Sequence, residues 1–108
     1  MNIQYKKGVI ELCILSALMK KDKYGYELST YISSEVNISD GTVYPILRKL
    51  KSEGLVTTYL SESSGGPPRK YYSITESGKE KFSKESVEWL TFSEKIKKMI
   101  KEVNDESR

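Results

Sequence analysis

The chain has 108 residues, 37% hydrophobic and 31% charged, with 18 Lys and Arg against 15 Asp and Glu for a net charge of +3. That is room for one domain with a modest core and too little for a two-domain enzyme. Histidine is absent, which removes the most versatile general base and the commonest metal ligand. No catalytic grouping is visible among the Ser, Lys and carboxylate residues, so neither an enzyme nor a cofactor or metal is expected.

The opening residues MNIQYKK lead into an apolar run that carries an acid and has no small-residue cleavage site, so they do not read as a secretory signal. The longest apolar stretch, Val9 to Met19, is broken by Glu11 and Ser16, and no membrane span is expected. From Gly8 to Lys20, Val9, Leu12, Cys13, Ser16, Ala17 and Met19 recur at helical spacing, while Ile10, Ile14, Leu15 and Leu18 widen the stripe until little polar surface remains. Such a helix belongs at the centre of a fold. Cys13 is the single cysteine, unable to form an internal disulfide or a Cys-rich zinc site; it reads as a small core residue, and the composition fits a reducing compartment or a protein indifferent to redox, with a cytoplasmic setting expected by default. Lys20, Lys21 and Lys23 close this helix, and Tyr24-Gly25-Tyr26 opens a second, shorter one. There Leu28, Ile32 and Val36 repeat every four residues, Tyr24 and Tyr31 lie near the same stripe, and Glu27, Ser34 and Glu35 face outward.

Asn37 to Gly41 is a turn cluster in which Ser39 and Asp40 are both good N-caps. A third helix follows over Gly41 to Gly54, with Val43, Ile46, Leu47 and Leu50 on its apolar side and Gly54 as its stop. Pro45 is awkward there: by propensity alone the helix starts late, near Tyr44, or its first turn is loosened. Leu55 to Leu60 and Lys70 to Ile74 read as strands joined by the turn-like loop Ser61 to Arg69, a hairpin with a projecting tip. Thr75 caps a last helix, Glu76 to Val103, about 42 Å long. Along it Phe82, Trp89, Ile96 and Val103 are spaced by seven, with Phe92 and Met99 three after Trp89 and Ile96, and Glu85 an exception. A domain of this size cannot cover such a stripe by itself.

Three helices followed by a hairpin is the layout of a winged helix-turn-helix, in which the third helix enters the DNA major groove and the hairpin tip reaches beside it. The fold class is therefore mainly α (α+β): a winged helix-turn-helix over residues 1–75 and a long C-terminal dimerisation helix and tail over 76–108. Charge supports the division, with 10 basic and 7 acidic residues up to Thr75 and 8 of each beyond it. Within the head, Arg48, Lys49, Lys51, Arg69 and Lys70 cluster against Glu53 and Glu62.

These residues match a family. YGYEL at Tyr24 to Leu28, GTVYPILRKLKSEGLV at Gly41 to Val56 and GPPRKYYSIT at Gly66 to Thr75 resemble the three signature blocks of the PadR family of bacterial transcriptional regulators, in order and at suitable spacing. The single long C-terminal helix is similar to that of the short subfamily, whose members form homodimers through it. The resemblance implies a repressor of double-stranded operator DNA whose recognition helix starts near Ser39, with Pro45 inside its beginning. Its exposed side then shows Gly41, Thr42, Tyr44, Pro45 and Arg48, where Gly41 allows close backbone approach and Arg48 suits a phosphate or a guanine edge. In the wing, Gly65 and Gly66 permit unusual φ while Pro67 and Pro68 stiffen the tip and present Arg69 and Lys70. Tyr24 and Tyr26 are further phosphate candidates, with at least one of them expected to be structural, and one of Tyr71 and Tyr72 belongs to the core with the other at the DNA-facing edge. Phe82, Trp89, Phe92, Ile96, Met99 and Val103 are assigned to the dimer. Trp89 and Phe92 are candidates either for core packing there or for a small aromatic effector at the interface. A winged-helix protein-interaction module, or a regulator with no inducer, is the alternative reading.

Overall fold

In the computed structural model, which describes residues 3–62 and 65–106, helix α1 (Ile3–Lys20) is the element around which the others pack. Residues 63 and 64 of the expected hairpin tip, and the outer ends of the two expected regions at 1–2 and 107–108, lie outside the described residues. Ile10, Ile14, Leu15, Ala17 and Leu18 are all buried, and because they point in different directions around the helix, α1 needs cover on several sides. Helix α2 (Gly25–Val36), helix α3 (Asp40–Ser52), strand β3 (Arg69–Ile74) and helix α4 (Glu76–Glu106) supply it.

Helix α2 brings Leu28 and Ile32 to this core and stops at Asn37, whose amide bonds the Ser33 carbonyl and whose left-handed backbone (φ 55°) turns the Ile38 amide back to the same carbonyl at 3.3 Å. Helix α3 adds Val43, Ile46, Leu47 and Leu50. It runs from Asp40 rather than from near Tyr44, with Pro45 inside its second turn. An interior proline costs about 3 kcal/mol, but each fully buried aliphatic side chain contributes about 1.5 to 3 kcal/mol, and α3 anchors four of them. Gly41, whose carbonyl would have accepted the missing amide hydrogen, is exposed and its oxygen can be solvated.

The hairpin strands are β2 (Val56–Ser61) and β3, and a third, unexpected strand, β1 (Lys23–Tyr24), completes an antiparallel sheet in the order β1-β3-β2. Tyr24 thus sits on β1, opposite Tyr71, at the N-cap position of α2 rather than on its apolar stripe. Period-2 alternation puts Tyr72 inward with the core and Tyr71 on the other face.

The root of α4 is tied to the end of α3. Gly54 takes φ 74° and its carbonyl accepts the Thr75 hydroxyl at 2.7 Å, while the same Thr75 oxygen accepts the Gly78 amide at 3.1 Å, the cap expected of it. Gly78 is pressed against this junction: a Cβ there would collide with the Leu55 carbonyl oxygen and lie 2.7 Å from Ile74 Cγ1. Phe82 still packs against the core of its own chain, which removes it from the uncovered part of the stripe. Beyond it α4 runs out, about 46 Å long in a molecule of 59 × 26 × 23 Å. Trp89, Phe92, Ile96, Met99 and Val103 are exposed, and so are Val87, Leu90 and Ile100, which the heptad count did not include. Among the described residues no helix is long and apolar enough to cross a membrane.

Gly78→Ala gains about 1 kcal/mol of helix propensity but meets a backbone oxygen that cannot swing away, an overpacking cost of about 1 to 3 kcal/mol. A net loss of stability is expected, read as a lowered urea midpoint with an unchanged slope. A raised midpoint would show that α4 can lift off Leu55 freely.

Candidate nucleic-acid interface

The sheet register and the start of α2 bring one side of the head to a point. An open cleft of about 380 Å³ is lined by Tyr24, Gly25 and Tyr26 from β1 and α2, Tyr44 and Arg48 from α3, and Arg69, Lys70 and Tyr72 from β3. Five of the residues expected to meet DNA, Tyr24, Tyr44, Arg48, Arg69 and Lys70, therefore share one surface. Among the described residues three cations line it and no carboxylate does. Gly25 lies at the floor of this convergence, where a Cβ would stand in ordinary contact with the Tyr44 and Tyr72 rings, at 3.7 and 3.4 Å, and a larger side chain would fill the cleft. The N-terminus of α2 carries no side-chain cap and borders the cleft, so its free amides and positive dipole end favour an anion there.

The other candidates flank the cleft. Ser39 and Thr42 sit at the start of α3 with their hydroxyls 3.1 Å apart and bonded to each other, and Gly41 and Pro45 are exposed beside them. Gly66 and Pro67 are exposed at the wing tip, beyond the cleft lining. Two lining residues were missed in the sequence. Gly25 reads as spacing between tyrosines, and Tyr72, taken with Tyr71 as one core and one edge residue, is both: buried, yet bordering the cleft under Lys70, whose ammonium lies 6.0 Å from its ring. Burial pushes the Tyr72 phenol up, with the charge of Arg48 acting the other way.

Lys49 leaves the expected basic cluster. Its ammonium bonds the Glu11 carboxylate of α1 at 2.6 Å, and that bond, with the charge behind it, raises the Lys49 pKa. Glu11 is 8% exposed, so the pair fixes the rotation of α3 against α1 and turns Arg48, one residue earlier and about 100° round the helix, away from that contact. Asp40 fixes the other end of α3. Its carboxylate accepts the hydroxyls of Ser29 at 2.7 Å and Ser33 at 3.0 Å from α2, which hold its pKa below the ordinary value of 3.8.

Away from the head, Trp89 stands between two shallow grooves of about 430 and 400 Å³. One runs along α1 at Gly8, Val9 and Leu12 to Phe92, and the other passes Cys13, Val36 and Leu90. Trp89 and Phe92 are neighbours, their ring centroids 6.5 Å apart at 48°. Burial raises the Cys13 thiol, in keeping with a packing residue.

Comparison with known proteins agrees with this geometry. The model of the family described as "Transcriptional regulator PadR-like family" matches residues 14–84. A solved PadR-like transcriptional regulator from Bacillus cereus is 37% identical, with a TM-score of 0.81 over 90% of this chain and 96% of that one. A PadR family transcription regulator from Clostridium difficile is 34% identical, with a TM-score of 0.76 over 84% of this chain and 97% of the other. The negative transcriptional regulator PadR of Bacillus subtilis is 28% identical over 87% of this chain, which spans about half (52%) of that protein's length.

The Asp40 brace gives α3 a defined pH dependence. Because the folded pKa lies below the unfolded one, the brace contributes fully above about 3.8 and is lost as pH falls through the lower, folded value. Urea midpoints should fall over that acid window in the parent chain, and the drop should be smaller in Asp40→Asn. Equal acid sensitivity of the two would place the titration elsewhere.

Proposed function

The chain belongs to the PadR-like family of transcriptional regulators, DNA-binding proteins rather than enzymes, and from that premise we propose that it is a homodimeric repressor of an inverted-repeat operator, released by a small aromatic effector. The observation that carries the DNA part is the convergence of Arg48, Arg69 and Lys70 with Tyr44 on one cleft beside the α2 N-terminus that no carboxylate lines among the described residues. Helix α3 enters the major groove, with Ser39, Gly41, Thr42, Tyr44, Pro45 and Arg48 toward the bases. The wing, with Gly66, Pro67, Arg69 and Lys70, lies along the neighbouring backbone. Residues 1–75 form the DNA-reading head and 76–108 the dimer-forming tail.

The tail supports a homodimer. Trp89 is 41% and Ile96 40% exposed on an apolar stripe that a single head does not cover, and a second copy of the same stripe is self-complementary about a two-fold axis. A pair of Trp89 and Phe92 side chains facing their mates offers flat apolar surface for an aromatic effector. The negative action is drawn from the Bacillus subtilis relative, which is named a negative regulator.

Selection of bound duplexes from a random pool tests the whole reading. An inverted repeat with half-sites one helical turn apart, about 34 to 36 Å, is expected, and a motif without symmetry overturns the dimeric mode. Contacts to about 6 to 10 phosphates should cost about 10³ to 10⁵ in affinity between about 50 and 200 mM salt. Arg69→Ala should weaken all sequences alike, whereas Arg48→Ala or Tyr44→Phe should erode the preference for operator over random DNA. Ile96→Glu should leave the head folded while sedimentation shows monomers and operator affinity drops. Tryptophan fluorescence titrated with planar aromatic compounds reads the effector site directly, and no response across a broad panel removes that part alone.

A further inference from the structure

The outward face of the sheet carries a row of aromatic rings that lead to the wing. Register places Tyr24 and Tyr59 on either side of Tyr71 across three strands. Tyr59 and Tyr71 are stacked, 5.6 Å between centroids at 14°, and Tyr71 meets Tyr24 at 5.9 Å and 59°. At the far end the Tyr59 hydroxyl donates to the Asp22 carboxylate at 2.7 Å, which anchors the row to the segment before β1. At the near end the Arg69 guanidinium carbon stands 4.5 Å from the Tyr24 ring centroid.

The way Arg69 is held differs from the way Lys49 is held. A carboxylate fixes Lys49 and neutralises it. A ring face fixes a guanidinium through its π cloud and leaves the in-plane N–H donors free for phosphate or base oxygens. A long, flexible side chain at a wing loses rotamer freedom when it docks on DNA, and a ring that already orders it reduces that loss.

We infer that Tyr24 is a positioning residue for Arg69: its ring, backed by Tyr71 and Tyr59, presets the guanidinium at the wing, and its hydroxyl makes no DNA contact. This replaces the phosphate-binding role expected for Tyr24, and it rests on the DNA-binding reading of the cleft.

The full-length chain and a duplex of random sequence test it, since Arg69 is expected to act on all sequences alike. Tyr24→Leu should bind about two- to fivefold more weakly, the scale of one exposed cation–π contact, and Tyr24→Phe should bind as the parent does. In an Arg69→Ala background Tyr24→Leu should change nothing further. A loss in Tyr24→Phe, or an undiminished effect of Tyr24→Leu without Arg69, overturns the inference in favour of direct contact by Tyr24. Without DNA, the Arg69 Cδ protons of the parent and of Tyr24→Phe should show an upfield ring-current shift in their NMR spectra. Its absence also overturns the inference, whether or not the leucine variant folds. Duplex binding that Arg69→Ala leaves intact sinks the wing role and the inference together while sparing α3. No duplex binding by the parent sinks the DNA reading itself.

Discussion

The enclosure of α1 governs the rest of the molecule. Ile14 and Leu15 are adjacent in sequence and both fully buried, so they point about 100° apart and cannot be satisfied by one neighbour. A helix of this kind is stable only inside a ring of partners. Here the ring is α2 and α3, the inward Tyr72 of the sheet and the root of α4. Because one buried axis serves all of them, the recognition helix, the wing and the tail are held in fixed relation by the same set of apolar contacts.

Polar contacts then set the rotation of α3 about that axis. Asp40 with Ser29 and Ser33 locks α3 to α2 at one end, and Lys49 with Glu11 locks α3 to α1 toward the other. Both use charged groups that a count of formal charge would assign to the surface. The net +3 of the head is therefore a poor guide to the charge offered to a partner; what matters is that Arg48, Arg69 and Lys70 reach one cleft while Lys49 is paired with Glu11.

The elements with strong periodicity were legible from the residues alone: the all-round apolar α1, the Val43-Ile46-Leu47-Leu50 side of α3, the hairpin and the Thr75 cap of α4. Strand β1 was not, because two residues have no period and exist as a strand only through pairing with Tyr71 and Tyr72. The start of α3 was misjudged by propensity, since the cost of Pro45 is local while the gain from four buried side chains is tertiary. Most cleft residues could be named in advance because their chemistry is visible in the letters. The uses of Lys49, Asp40 and Tyr24 could not, because each depends on a partner that the fold brings from a distant part of the chain. Phe82 carried the heptad signal of its neighbours, yet packs in the core because α4 has not yet left the head there.

The close seat of Gly78 on Leu55 makes the root of α4 a fulcrum. A rotation of about 5° there swings the far end of a helix about 46 Å long by about 4 Å, more than the rise of one base pair, about 3.4 Å. In the proposed homodimer, where paired tails would join the two heads, a single methyl group's worth of clearance at that seat would set the reach between the heads, and with it the stretch of double helix they could grip together.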